Sequence, residues 1–299
     1  MRRDAMTTEA DWWQVRAFLV ELFGISAPGT VWDVRRWDGH RFHRARPWDP
    51  PFDGRTGIWR SAGRIVAVAI QEGDRDMFPH VHPHRPEVAD ELYDWAESVL
   101  AAETDAGRVL EIQAYDHDTP TLRILGDRGY EPMERGEVMR HLRLEGTPLP
   151  APRVAAGYRI RPARIDADDA TAFAALLNAA FDRDLHSGRE VLRFREHSPS
   201  YRADLDLMAE ADDGSLVASA GVTVDHATST ATFEPVLTHP GHRRRGLALA
   251  LLHEGLRLAQ REGVRTARVG SGLHTPANHV YDAAGFAERY RGRTWRRAW

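Results

Sequence analysis

The sequence predicts a mixed α/β (α+β) protein made of two tandem domains, each a mixed central β-sheet flanked by helices. Three observations support this fold class. A proline-rich segment without hydrophobic periodicity lies near the middle of the chain, and two short motifs recur at nearly the same spacing in both halves. Between those motifs, both halves follow the same order of strand-like and helix-like segments. With 299 residues, the chain is long enough for two domains of ordinary size.

The proline-rich segment is the predicted domain boundary. It begins with the run Gly-Thr-Pro-Leu-Pro-Ala-Pro at residues 146–152. Its prolines and its lack of periodicity favour a linker. Apolar and polar residues alternate shortly before this run and again after it, as they do in strands. We therefore expect domains at residues 1–145 and 158–299, joined by a linker at residues 146–157.

Two dipeptide motifs indicate that the second half duplicates the first. His-Pro occurs at residues 82–83 and 239–240, and a glycine followed by an aromatic residue occurs at 129–130 and 285–286. Between these motifs, each half contains an amphipathic helix, a charged turn, a short strand and a second helix. A shared order of elements at a fixed spacing is typical of an internal duplication.

The composition excludes several classes of chemistry and partner. The chain has no cysteine, which rules out disulfides, thiolate nucleophiles and cysteine-bound zinc. Its net charge of −4 argues against a general nucleic-acid binder, because such binding needs a basic surface. No apolar run approaches the ~18–20 residues of a membrane span, and the N-terminus leads to no signal-peptide core. We therefore expect a cytoplasmic protein with no nucleic-acid or membrane partner.

The most informative segment is a strand, a loop and a helix in the second half. Residues 233–238 read as a strand, residues 239–246 form a loop with glycine and three consecutive arginines, and an amphipathic helix follows. A helix N-terminus presents unpaired N–H groups and a partial positive charge, which attract phosphate. The segment therefore predicts an anion site at Arg243, Arg244, Arg245, Gly246, Leu247 and Ala248.

The same segment resembles a family motif. Arg243-x-x-Gly246-x-Ala248 is similar to the pyrophosphate-binding motif of the GNAT superfamily of N-acetyltransferases, which use acetyl-coenzyme A (acetyl-CoA). In that family, the backbone of the preceding strand pairs with the pantetheine arm of coenzyme A. The residues of this chain that resemble that strand are Val236, Leu237 and Thr238.

A second motif follows at the spacing of that family. Residues 278–286 resemble the GNAT helix written Asn-x-x-Tyr-x-x-x-Gly-Phe. Two ordered motifs at the right spacing are hard to obtain by chance. The resemblance covers residues 158–299 and is most specific after Phe233. It implies two GNAT-like domains in tandem, of which the second carries the motifs.

The resemblance implies direct transfer of an acetyl group from a thioester to an amine, without an acyl-enzyme. Tyr281 would protonate the departing thiolate, and Glu234 would remove a proton from the amine. A backbone N–H near Val236 would stabilise the oxyanion. Asn278 would hold the pantetheine arm or orient the nearby backbone.

Each side chain also has a purely structural interpretation. Tyr281 could be a core aromatic residue that packs near Gly285 and Phe286. Glu234, which precedes a proline on a strand, could be a solvated edge residue. In that case the base would be a loop histidine or a water molecule, and the histidines that flank the loop are His239 and His242.

The first half lacks the residues that this chemistry needs. At the repeat spacing, the positions of the loop glycine, the loop alanine, the tyrosine and the glutamate are occupied by Ala89, Glu91, Leu125 and Met77. A glutamate in a phosphate cradle would repel the ligand, and leucine has no hydroxyl. We therefore expect a degenerate copy, which serves as a scaffold or covers one wall of the acceptor cleft.

Two further groups of residues lie outside these motifs, and each has both a functional and a structural interpretation. His80, His82 and His84 alternate, as metal ligands on one strand face can. Pro83 breaks regular strand geometry, however, so that a polar loop is favoured and no metal is expected. An aromatic-rich segment could present walls to a ligand, although aromatic packing is the default. Its aromatic residues are Trp32, Trp37, Phe42, Trp48 and Phe52.

The sequence therefore predicts an acetyl-CoA-dependent N-acetyltransferase, an acyltransferase with its active site in the second half. The resemblance to two-domain members with one degenerate half favours a small-molecule amine as the acceptor. The alternative is a catalytically silent CoA-binding protein with a regulatory or interaction role. The sequence leaves open the acceptor, the preferred acyl group and the oligomeric state.

Overall fold

The computed structural model describes residues 2–26, 30–43, 54–105 and 107–299. The described chain divides into two compact units. Unit 1 comprises Met1–Val34, Pro47–Val138 and Tyr290–Trp299, and unit 2 comprises Arg35–Arg46 and Met139–Arg289. Among the described helices, none has the length and apolar character needed to cross a membrane.

The first half contains both strands and helices. In chain order they are β1 (Arg2–Ala5), α1 (Glu9–Ile25), α2 (Val34–Phe42), β2 (Gly57–Ser61), β3 (Arg64–Glu72), β4 (Asp76–Val81), α3 (Ala89–Val99), β5 (Ala102–Thr104), β6 (Gly107–Tyr115), α4 (Thr119–Asp127) and β7 (Glu131–Arg143).

The second half follows a similar order. Its elements are β8 (Tyr158–Pro162), α5 (Ala167–Ala180), α6 (Gly188–His197), β9 (Asp206–Ala211), β10 (Leu216–Asp225), β11 (Thr230–Thr238), α7 (Leu247–Arg261), β12 (Thr266–Gly272), α8 (Ala277–Ala283) and β13 (Ala287–Ala298). Single turns of 3-10 helix precede α3, β9 and α7.

Unit 1 is built on a mixed sheet against which a helix packs. Strands β1 to β4 pair antiparallel in sequence order, and β4 then pairs parallel with β6. The amphipathic helix α3 buries its apolar face on this sheet, with Leu92, Tyr93 and Trp95 in the core. Trp59 lies in the same core, and its ring meets that of Trp95 edge-on at 5.5 Å.

The last strand of the chain belongs to unit 1. Residues 292–298 of β13 pair antiparallel with residues 109–115 of β6. Trp299 N donates to Arg108 O at 2.9 Å and extends this ladder. The predicted domain boundary at residues 146–157 takes no account of this segment. Strand pairing is a tertiary contact that local periodicity does not encode.

Five strands of unit 2 are neighbours in the order β8, β9, β10, β11 and β12, and β7 follows β12. The first four pair antiparallel, and β11 pairs parallel with β12. Helix α7 provides the crossover between the two parallel strands, and its buried leucines pack on the sheet beside Phe233. Gly255 permits this close approach, because a Cβ there would lie 2.7 Å from the Phe233 ring.

Helices α5 and α6 are fixed on unit 2 by a buried ion pair. Asp169 of α5 accepts a hydrogen bond from Arg195 Nη1 of α6 at 3.0 Å, and both side chains are almost fully buried. Asp169 also pairs with Arg161 of β8. Breaking such a buried pair leaves an uncompensated charge, so that this network holds both helices in one place on the sheet.

Helix α2 comes from the first half of the sequence but lies mostly in unit 2. Arg193 Nε of α6 donates to Phe42 O at 3.1 Å, and Ser200 N donates to Asp38 Oδ2 at 3.1 Å. The Arg35 guanidinium lies over the Phe194 ring at 4.9 Å. The first half of the chain therefore contributes a helix to the unit that contains the predicted acetyltransferase motifs.

We predict that the contact of the C-terminal strand with the rest of unit 1 cannot tolerate a side chain at Gly107. This residue has φ +96°, and a Cβ would lie 2.3 Å from Trp299 O. Gly63 is the matched control, because it has φ +80° but a Cβ added there would meet no atom within 4 Å. Both Gly→Ala changes carry backbone strain of about 1 kcal/mol, and Gly107→Ala adds about 1–3 kcal/mol of overpacking. Denaturant unfolding measures both, and equal losses would contradict this packing.

Candidate active site

Strands β11 and β12 separate after a short ladder. Their parallel pairs are Thr230 with Thr266, Ala231 with Ala267, and Thr232 with Arg268. In the described part of the chain, no ladder pair joins the two strands beyond this point, although β11 runs on to Thr238 and β12 to Gly272. On its other edge, β11 stays paired with β10. One edge of residues 233–238 is therefore open to an extended ligand.

A bulge at the start of the opening bends β11. Val222 faces Phe233 and Ala220 faces Val236, so that Glu234 and Pro235 together oppose a single residue, Gly221. A Cβ at Gly221 would lie 2.7 Å from Glu234 O. The glycine is thus required for the close approach of the two backbones. The bulge leaves the Glu234 side chain exposed at the start of the opening.

Helix α2 contacts the bulge from the outside. Arg35 Nε donates to Glu234 O at 3.3 Å. Sequence reasoning missed this residue, as it missed Gly221. Neither belongs to a motif, and Arg35 lies 199 residues from its partner, so that no local signal connects them.

The loop after β11 is shaped as an anion cradle. Gly246 has φ +75° and precedes α7, whose N-terminus has no side-chain cap. A Cβ at Gly246 would meet no atom within 4 Å, so that space is open beside the first turn of the helix. Leu247 and Ala248 occupy that turn, where backbone N–H groups lack intrahelical partners.

The three consecutive arginines have different surroundings. Arg243 Nη2 donates to Ala180 O at 3.0 Å, and its Nε donates to Thr238 O at 3.4 Å. The Arg245 guanidinium lies 5.9 Å from the Tyr158 ring centroid. Arg244 adopts φ +61°, is exposed and has no partner in the described ranges. Arg244 is therefore the cation most available to a ligand.

The two histidines that flank the loop serve its structure. The His239 side chain accepts a hydrogen bond from Gly241 N at 3.2 Å. His242 Nδ1 lies 3.0 Å from the Tyr158 hydroxyl, within hydrogen-bond distance. Both imidazoles thus have a contact that fixes the loop between β11 and α7.

Tyr281 combines a buried ring with an unpaired hydroxyl. It lies on α8, is 4% exposed, and its ring centroid is 6.3 Å from that of Phe286. Burial raises the pKa of Tyr281 to about 12; the Glu234 carboxylate contributes to the increase, and Arg140 opposes it. The phenol is therefore protonated at neutral pH. No described residue hydrogen-bonds its hydroxyl, which leaves the proton available to a ligand.

Asn278 uses its whole hydrogen-bonding capacity within the protein. Its Nδ2 donates to Gly272 O at 3.2 Å and to Leu273 O at 3.0 Å. Its Oδ1 accepts from Ser271 Oγ at 2.5 Å and from Arg140 Nη1 at 2.9 Å. Two donors and two lone pairs are thus occupied. The geometry favours the backbone-orienting role over direct contact with a pantetheine arm.

Comparison with known proteins identifies this region. Residues 171–286 match the sequence profile of the Acetyltransferase (GNAT) family. This segment is a GNAT-family domain. Proteins of this family transfer acyl groups and use acetyl-CoA as co-substrate. No curated protein has a significantly similar sequence.

Solved structures extend the likeness to the whole fold. A GCN5-related N-acetyltransferase from Sphaerobacter thermophilus aligns with a TM-score of 0.64 at 21% identity, covering 99% of this chain and 95% of that one. A tandem GNAT protein from the clavulanic acid biosynthesis pathway gives 0.66 at 17% identity, with 99% and 98% covered. A GNAT-family acetyltransferase from Colwellia psychrerythraea gives 0.63 at 13%, with 99% of both chains covered. The predicted fold class of two tandem GNAT-like domains is confirmed.

The described residues of the GNAT domain fit acetyl-CoA. The open edge at residues 233–238 offers backbone groups to a pantetheine amide, and the uncapped N-terminus of α7 offers N–H groups to a pyrophosphate. The open space beside Gly246 adjoins the first turn of that helix. Val236, Leu237 and Thr238 lie on this part of β11, and their contact with a pantetheine arm stays a prediction.

Unit 1 keeps part of the same architecture but not its cradle. Strands β4 and β6 pair only at Asp76 with Glu111 and at Met77 with Ile112 within the described ranges, so that they also separate early. Helix α3 follows a 3-10 turn instead of a glycine loop. Glu91 is exposed, and its Oε1 accepts a hydrogen bond from Trp59 Nε1 at 3.0 Å.

The remaining sequence candidates occupy structural positions. Leu125 and Met77 are fully buried in the core of unit 1. Trp32 and Trp37 are also buried, whereas Trp48 and Phe52 lie outside the described residues. Within the described ranges, the alternating histidines at 80, 82 and 84 belong to no group of three potential metal ligands.

Proposed function

We propose that the GNAT domain transfers an acetyl group from acetyl-CoA to the amine of a small molecule by direct attack. One observation carries this proposal: the open edge of β11 leads directly into an uncapped helix N-terminus with a left-handed glycine. The first feature suits an amide-bearing arm and the second suits a pyrophosphate. Together they match the two ends of one elongated ligand.

The residues around the loop would divide the work of holding that ligand. Leu247 and Ala248 would offer backbone N–H groups to the pyrophosphate, and Arg244 would add a charge-assisted hydrogen bond. Arg243 would act indirectly, because its bonds to Ala180 O and Thr238 O hold the loop in shape. Arg245 would contribute positive charge beside Tyr158.

The acceptor amine needs a base before it can attack. An alkyl ammonium has a pKa near ~10 and is mostly protonated at neutral pH. Glu234 is exposed at the bulge, where the strand opens, so that it can take this proton directly or through a water molecule. A backbone N–H of the open edge near Val236 would stabilise the negative charge that develops on the carbonyl oxygen.

Tyr281 would stabilise the sulfur as it leaves. A thiol has an ordinary pKa of ~8.5, whereas burial raises the pKa of Tyr281 to about 12. Complete proton transfer from the phenol to the thiolate would therefore be uphill by about 5 kcal/mol. We infer that the hydroxyl donates a strong hydrogen bond to the sulfur in the transition state, and that solvent supplies the final proton.

Unit 1 would bind no coenzyme A of its own. Its helix α3 begins without a glycine loop and carries Asp90 and Glu91 in its first turn. Acidic residues favour a helix N-terminus and compete with phosphate for it. The position of the tyrosine hydroxyl is taken by Leu125, which lies in the core.

We expect a charge in the cradle to abolish cofactor binding. Gly246→Glu places a carboxylate where the pyrophosphate should lie, so that acetyl-CoA affinity should fall at least ~100-fold. Gly263→Glu is the matched control, because Gly263 follows the opposite end of α7, has φ +78° and has no atom near its Cβ position. Calorimetry should give one site per wild-type chain. Unchanged affinity in folded Gly246→Glu would disprove the cradle, and two sites would disprove the degenerate unit 1.

Removal of the phenolic hydroxyl should slow turnover without loss of binding. Tyr281→Phe keeps the buried ring, so that stability and acetyl-CoA affinity should change little. Turnover should fall by roughly 10²- to 10⁴-fold, the range for loss of a positioned acid. Thiol release over a panel of amines measures this effect. Near-native turnover would return Tyr281 to the role of a core aromatic residue.

The base can be tested by the pH dependence of the rate. Glu234→Gln should make the reaction depend on amine that is already neutral, so that the rate rises about tenfold per pH unit toward the amine pKa of ~10. Glu196→Gln, a change at an exposed glutamate of α6, is the control. An unaltered profile in Glu234→Gln would transfer the role to His239, His242 or water.

A further inference from the structure

Three potential metal ligands meet on the side of unit 2 where α2 lies. His43 follows α2, His186 lies in the segment between α5 and α6, and Glu190 lies in the first turn of α6. Their ligand atoms all lie within 4.8 Å of one another. Within the described ranges, this is the one group of three such residues.

The distances in this group match those between the ligands of one small ion. Glu190 Oε1 lies 3.0 Å from His186 Nδ1 and 3.2 Å from His43 Nδ1. Two ligands bound to zinc at ~2.0–2.1 Å, at the tetrahedral angle, lie about 3.3 Å apart. Zinc would therefore require only small movements of these three side chains.

The burial of the group leaves one oxygen without a partner. The side chains of Glu190, His186 and His43 are 3%, 8% and 15% exposed. Glu190 Oε2 is buried and has no hydrogen bond. A buried carboxylate oxygen without a partner is costly, and a cation bound by both oxygens of the Glu190 carboxylate would remove that cost.

We propose that His43, His186 and Glu190 bind one divalent cation of the zinc class. Two imidazoles and one carboxylate are a ligand set that zinc uses, with a fourth position left for water. The ion would join the segment after α2 to the start of α6. Because Arg35 of α2 also bonds Glu234 O, the site would fasten the helix that supports the bulge in β11.

Arg183 opposes metal binding in the present arrangement. Its Nη2 lies 2.5 Å from His186 Nε2. Arginine only donates, so that Nε2 must accept and the proton of His186 lies on Nδ1, facing Glu190. Metal binding at Nδ1 requires that this proton moves to Nε2 and that Arg183 turns away. Arg183 is exposed, and its guanidinium lies 4.7 Å from the Phe181 ring centroid. Contact with that ring can hold the guanidinium after it turns away from His186.

The direct test is calorimetric titration of the full chain, freed of metal by a chelator, with zinc chloride. We expect one zinc ion per chain that millimolar Mg²⁺ does not displace, since Mg²⁺ prefers oxygen ligands. Glu190→Gln and His186→Ala should weaken this binding by more than the ~10- to 100-fold typical of outer-shell changes. His197→Ala, which removes an exposed histidine of α6, should leave it unchanged. Equal zinc affinity in all four proteins would overturn the site.

Two further measurements do not depend on the folding of those variants. Co²⁺ bound to the wild-type chain should show the visible absorption of tetrahedral nitrogen and oxygen ligation, and its absence would also overturn the proposal. Arg183→Met removes a competing positive charge from the site and should raise zinc affinity about tenfold. An affinity equal to that of the wild type would contradict the opposing role of Arg183.

Discussion

The separation of β11 from β12 is the constraint on which the site depends. A parallel pair normally satisfies the backbone groups of both strands, but here the ladder stops at Thr232 and Arg268. The bulge opposite Gly221 bends β11 at that point, and the strand then ends where the loop to α7 begins. The open edge and the helix N-terminus therefore follow each other closely in the chain. One ligand can meet unpaired backbone groups along the strand and then the dipole of the helix.

The two compact units do not follow the order of the chain. The strand at residues 290–298 completes the sheet of unit 1, and residues 35–43 lie with the GNAT domain in unit 2. Each unit thus depends on a segment from the other half of the sequence. In this arrangement, removal of either half of the sequence would take an element from the other unit. The arrangement also places a helix of the first half against Glu234, at the point where the acceptor is expected.

The hydrogen bonds of individual motif residues separate structural roles that the sequence alone does not distinguish. In the arginine run, Arg243 donates to two backbone carbonyls, whereas Arg244 has no hydrogen-bond partner in the described ranges. Asn278, a motif residue, uses all its hydrogen-bonding groups on Arg140 and on residues at and just after the end of β12. The Tyr281 ring packs in the core, and its hydroxyl remains unpaired among the described residues. The core and catalytic interpretations of this tyrosine are therefore compatible, because they concern different parts of one side chain.

The sequence by itself determined the tandem α/β fold, the GNAT-like segment and the position of the glycine loop before α7. These features rest on local signals, namely periodicity, a glycine before a helix and motif spacing. Only the tertiary structure decided to which unit β13 and α2 belong and why Gly221 must lack a side chain. It alone also decided which residues Arg35 and Arg140 contact, and it brought His43, His186 and Glu190 together. Each of these depends on contacts between residues far apart in the chain. Such contacts are fixed by packing and strand register, which no short stretch of sequence specifies.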